Sequence, residues 1–150
     1  PALVLCSAVF GGTSMSKLFM NVRERLSLCY YASSALEKQK GLMIVSSGIE
    51  FQNYETAKRE ILAQLEDVKA GKITDDELEG ARRILINQYR SIEDEQGRME
   101  EYWLGQAAAG TEDAPGTLAA RLETVTGEQI AQVARKLELD TVYFLKGKEC

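Results

Sequence analysis

Apolar and polar positions change their spacing several times along the chain, and each change marks an element. From Asn53 onward Tyr54, Ala57, Ile61, Leu65 and Val68 recur at three- and four-residue steps, which puts them on one face of an amphipathic helix. Asn53 stands where a cap is needed and Gly71 where the helix should close. "TDDE" at 74–77 sets a glutamate three residues after a threonine, a capping box, and Leu78, Ala81, Leu85 and Ile92 carry a second helix away from it. The box recurs as "TGEQ" at 126–129, ahead of Ile130, Val133, Ala134 and Leu137. Residues 96–109 predict a further helix and 115–123 a short one.

The first third of the chain is patterned differently. Residues 30–37 read as a strand, "QKG" at 39–41 as a turn, and "LMIVSSGI" at 42–49 as a second strand, together a hairpin. Ser14 is an N-cap candidate for a helix to about Ser27, with Leu18, Val22 and Leu26 four apart on one face and Arg23 beside that stripe. Residues 2–10 fit a buried strand or a helix equally by period, and Gly11–Gly12 ends them. "DTVYFL" at 140–145, β-branched and aromatic, predicts a short last strand. Strands separated by pairs of helices favour an α+β class, an antiparallel-rich sheet covered by helices, over a doubly wound parallel sheet.

Composition narrows the function. With 150 residues, 45% hydrophobic and 27% charged, the chain reads as one globular domain able to bury about 70% of its unfolded surface. A net charge of -5 argues against a nucleic-acid partner, which needs basic patches. The opening apolar run, "PALVLCSAVF", is half the length of a membrane span and lacks a signal peptide's basic leader and cleavage site. Cys6, Cys29 and Cys150 are odd in number and form no metal-binding spacing, so reduced thiols in a cytoplasmic protein are expected. Pro1 in place of an initiator methionine suggests a processed or excised product.

The chain has no histidine. That removes Ser-His-Asp and Cys-His nucleophiles and every zinc site that needs imidazole. "DDELE" at 75–79 has the spacing of an acidic first helical turn, and "EDEQGRMEE" at 93–101 that of a solvated face. "FGGTS" at 10–14 lacks the remaining glycines and the Gly-Lys-Ser/Thr ending of phosphate loops, and reads as a tight turn between helices. Tyr102 and Trp103, beside Met99 and Leu104, are expected in the core rather than at a partner interface, and Cys29 in packing. Arg23 and Tyr30, seven positions apart, have ordinary roles available as helix-dipole complement and sheet residue. A guanidinium and a phenol are also two donors able to hold a substrate carbonyl or a developing oxyanion.

The run "FGGTSMSKLFMNVRERLSLCYYASSALEKQKGLMIVSSGIE" resembles the second-half domain of the pitrilysin/insulinase family of zinc metallopeptidases, which includes the mitochondrial processing peptidase. The shared features are Gly-Gly, then Ser-x-Lys-Leu-Phe, then Val-Arg-Glu followed by Leu and Tyr, then a hairpin. "NYETAKREILAQLEDVKAGKITDDELEGARRILI" is similar to that family's next helix pair. The resemblance covers residues 2–110 well. It implies that two α+β domains make each half of a clamshell closing on an extended peptide, that one half carries zinc on an inverted H-x-x-E-H motif, and that the other supplies an Arg and a Tyr near the metal. Arg23 and Tyr30 match those two positions, with Tyr31 the adjacent candidate.

On this resemblance the chain binds no cofactor itself, and zinc belongs to a partner half-domain or subunit. A strand before Pro1 is expected to be missing, residues 2–10 become a helix, and an exposed sheet edge could pair two copies. The implied role is a substrate-binding, catalysis-completing domain of a zinc endopeptidase. A partner or scaffold that contributes no chemistry, binding by strand addition, is the alternative.

Overall fold

The computed structural model describes residues 1–147. Helix α1, Ala2–Ser7, continues through a more widely wound π-helical turn, Ala8–Gly12, and a bend at 13–16 leads into the Leu18–Arg25 helix, also π-wound. Strands β1, Cys29–Glu37, and β2, Leu42–Ile49, form an antiparallel hairpin. A single-turn link, Phe51–Asn53, enters α2, Tyr54–Lys69, and then follow α3, Asp75–Arg90, α4, Gln96–Ala109, α5, Pro115–Glu123, and α6, Gly127–Ala134. This is the α+β arrangement expected from the pattern.

Residues 2–10 resolve as helix, and from Leu5 onward they form the centre of the core. Leu5, Cys6, Val9 and Phe10 are almost wholly enclosed, surrounded by Leu18, Val22, Val68, Ala81, Leu122, Ile130 and Ala134. The segment's six residues 5–10 are buried in succession and so show no amphipathic period, which is why period alone left it open. Burying Phe10 or Leu18 contributes about 1.5–3 kcal/mol each.

Both capping boxes form. Glu77 N–H donates to Thr74 Oγ1 at 3.2 Å while Thr74 N–H donates to Glu77 Oε2 at 2.9 Å. The same pair of bonds joins Thr126 and Gln129 at 3.3 and 2.9 Å. Gly71 closes α2 at φ +77°, in the left-handed region.

Four expectations are corrected. Asn53 precedes α2 without a side-chain cap bond. Ser14 caps nothing: the helix starts at Leu18, and Ser16 Oγ accepts from Phe19 N–H at 3.4 Å. Residues 140–145 form no strand and pair with none among the described residues. Phe144 instead stacks on Tyr54, ring centroids 4.2 Å apart, so strand propensity alone did not make a ladder. Finally, α4 buries none of its residues, and Trp103 is 42% exposed rather than core. No helix of the described residues is long and apolar enough to cross a membrane.

Candidate functional site

Arg23 lies in the last turn of the Leu18–Arg25 helix, two turns after the bend that follows Gly11–Gly12. Leu18 and Val22 point into the core and fix the helix's inner face. The Arg23 guanidinium stacks over the Phe19 ring, 4.5 Å from its centroid, and approaches Glu24 Oε1 at 3.7 Å. Both neighbours belong to its own helix, and at such exposure the ion pair contributes little to stability.

Ser27 turns the chain from this helix into β1. It has φ +49°, the only described non-glycine residue with positive φ. Its N–H donates to Arg23 O at 3.0 Å, and Leu28 N–H to Val22 O at 3.1 Å. The left-handed residue thus closes the helix as a C′ glycine would, which the sequence reading extended to Ser27 without seeing the turn.

Strand β1 then opens on an irregularity. Cys29 pairs with Ile49 and Tyr31 with Gly48, so Tyr30 is an extra residue with no partner opposite it. This is a β-bulge. From Ala32 onward alternate side chains, Ala32 and Ser34, turn to the core. Strict alternation would send Tyr30 the same way; the bulge breaks it, and Tyr30 is 84% exposed. The Tyr31 ring lies over Gly48, where a Cβ would fall 2.6 Å from Tyr31 Cε1. Tyr31 is half-exposed. An isolated glycine inside a strand is the sequence signal that could have located the bulge.

Arg23, Tyr30 and Tyr31 therefore flank one helix-to-strand turn. No hydrogen bond joins Arg23 to either tyrosine among the described residues, and the Tyr30 hydroxyl bonds to none of them. Three anchoring groups lay outside the sequence reading. Lys17, enclosed despite its charge, reaches Glu77 Oε1 at 3.0 Å. Asn21 Nδ2 donates to buried Gln64 at 2.7 Å. Ser34 Oγ donates to Ser7 O at 2.8 Å, tying β1 to α1. Cys6 sits in the core, where burial pushes its thiol up to about 11; Cys29 packs at the core's edge. Cys150 lies outside the described residues.

The donor set does not fit zinc. The chain has no histidine, and among the described residues no three Cys, Asp or Glu side chains converge where a metal ion could sit. Asp75, Asp76 and Glu77 form the first turn of α3, with Glu77 committed to Thr74 and Lys17. The exposed groups can bind and orient a ligand by hydrogen bonds.

Several known proteins are similar to this chain. A Bacillus subtilis protein named "Probable inactive metalloprotease YmfF" is 42% identical over 149 residues, 99% of this chain and 35% of that protein. A conserved protein of Enterococcus faecalis V583 superposes at a TM-score of 0.84 with 38% identity, over 91% of this chain and 32% of its own. A protease from Helicobacter pylori shares the fold, at a TM-score of 0.76 and 20% identity, over 90% of this chain and 33% of its own. The chain spans about a third of the length of these relatives. The family model described as "Peptidase M16 inactive domain" matches residues 1–85, a span that holds the whole helix–turn–hairpin unit and α2, and the chain belongs to that family.

Proposed function

We propose that the chain is the substrate-positioning, catalysis-completing domain of a zinc metalloendopeptidase whose metal is held by a partner half-domain or subunit. Arg23 and Tyr30 are its working donors, and Tyr31 borders them. Arg23 fixes a peptide carbonyl as a charged donor, and the Tyr30 phenol supports the oxyanion as the carbonyl becomes tetrahedral. The observation that carries this reading is the bulge: it exposes a phenol that strand alternation would have buried, with no bond to a described residue, one turn from an arginine whose named neighbours are its own helix. Bulges recur beside active sites because they re-aim side chains.

The test is reconstitution with the zinc-bearing half, following cleavage of an extended peptide. Tyr30→Phe is expected to lower kcat by about 10²–10³, the size of one lost oxyanion donor, with the urea midpoint unchanged. Unchanged kinetics would sink the proposal.

A second reading, a non-catalytic partner, is supported by the outer edge of β2. Residues 42–49 carry no charge or proline, and Leu42 and Ile44 are exposed beside it, so the edge is open to an added strand from a peptide or a second copy. Retained peptide binding with kcat independent of both Arg23 and Tyr30 would favour it.

A further inference from the structure

Arg23 touches only its own helix through its named contacts, Phe19 and Glu24. Its place relative to Tyr30 therefore depends on how the Leu18–Arg25 helix is rotated against its neighbours. Burial of Leu18 and Val22 chooses which face of that helix turns inward, but apolar contact is non-directional and leaves its fine rotation open. Directional bonds set that remaining rotation.

One such bond lies near the middle of the helix. Asn21 Nδ2 donates to Gln64 Oε1 at 2.7 Å, and Gln64 Nε2 donates to Glu60 Oε1 at 2.8 Å. The same Glu60 oxygen faces Arg25 Nη2 at 3.5 Å. Gln64 is 5% exposed, and a buried amide is tolerated only with its polar atoms bonded. Its carbonyl must meet a donor and its amino group an acceptor, so one orientation satisfies both Asn21 and Glu60. Asn21 and Arg25, four residues apart, share the helix face turned to α2. Arg23, midway between them, is carried round the helix from both. Arg25 is taken up by Glu60, and Arg23 is left for a ligand.

We propose that Gln64 is a positioning residue for Arg23, fixing the rotation of its helix through Asn21; this rests on the reading of Arg23 as a peptide-binding donor. The test is a double-mutant cycle on the 150-residue chain, using fluorescence anisotropy with a fluorescein-labelled pool of randomised decapeptides. Gln64→Leu and, independently, Asn21→Ala are expected to weaken binding about tenfold while far-UV circular dichroism stays native, and to have no further effect in an Arg23→Ala background. Equal losses with and without Arg23, or no loss in either variant, overturn the positioning role. A wild-type chain that does not bind the pool, or Arg23→Ala with unchanged affinity, overturns the site reading itself.

Discussion

Replacing Gly11 by alanine adds one methyl group where a helix end meets the backbone of β1. A Cβ there would lie 2.7 Å from Ser34 N, 2.8 Å from Leu18 Cδ1 and 3.0 Å from Ser34 Oγ, against about 3.5–4 Å for a comfortable carbon contact. Leu18 can rotate away, but Ser34 N belongs to a paired strand, so helix and hairpin must separate by a sizeable fraction of an ångström. Overpacking of this kind costs about 1–3 kcal/mol. The separation also lengthens the 2.8 Å bond from Ser34 Oγ to Ser7 O, adding about 0.5–1.5 kcal/mol. The helix propensity that alanine gains over glycine returns about 0.5–1 kcal/mol.

The expected net loss centres on about 2 kcal/mol, within about 0.5–4, which at the centre is about 4–8 °C in Tm for a chain of this length. Urea and thermal unfolding followed by circular dichroism would measure it. Gly105→Ala is the control: it lies inside α4 with nothing within 4 Å of the added carbon, and should gain about 0.5–1 kcal/mol. A Gly11→Ala loss below about 0.5 kcal/mol would refute the close approach of helix and strand.

Three further outcomes are expected. Because burial raises the Cys6 thiol to about 11, its contribution is fully present below about pH 9, where an unfolded thiol is still protonated, and is lost as the pH rises toward 11, by about 2–3 kcal/mol; urea midpoints of Cys6→Ala should lack this alkaline slope, and a slope identical in both proteins would contradict the assignment. Ser27→Gly should stabilise by about 0.5–1 kcal/mol, since glycine adopts φ +49° without a Cβ penalty, and a destabilised variant would show that the Ser27 side chain supports the turn. Lys17→Met should cost about 2 kcal/mol by leaving Glu77 without its buried cation, measured by unfolding at neutral pH, and stability unchanged would mean that the pair contributes no net energy.

Element identity was legible in the chain wherever one face was wet. The helix pair α2–α3 and both capping boxes follow from three- and four-residue spacing and from Thr74–Glu77 and Thr126–Gln129, because local side-chain to backbone bonds write their own signature. The hairpin followed from turn residues around Gly41. Residues 2–10 could not be settled by period because 5–10 are buried in an unbroken run. Trp103 failed in the opposite direction: apolar spacing on α4 predicts burial, but Trp103 and Leu104 stay exposed while Tyr102 packs on α3, against Tyr89. The unpaired Thr141–Leu145 segment shows that a strand needs a partner edge as well as β-branched residues.

For the candidate site, the resemblance proposes Arg23 and Tyr30. Their geometry was not legible, because a bulge is a mismatch of two strands and is written in neither alone. The residues that set that geometry divide into two groups. The directional contacts lie within 1–85, the span of the family match: Gly11 against β1, Lys17 with Glu77, and Asn21 with Gln64. Much of the apolar cover over α1 comes from Leu122, Val125, Ile130 and Ala134, which lie beyond it. Apolar cover accepts substitutions that conserve volume, whereas a bonded amide or a methyl-sized gap does not. The later helices can therefore change in sequence and still bury the core, while on the proposed function the helix–turn–hairpin unit would keep Arg23 and Tyr30 in place only with its small polar contacts kept.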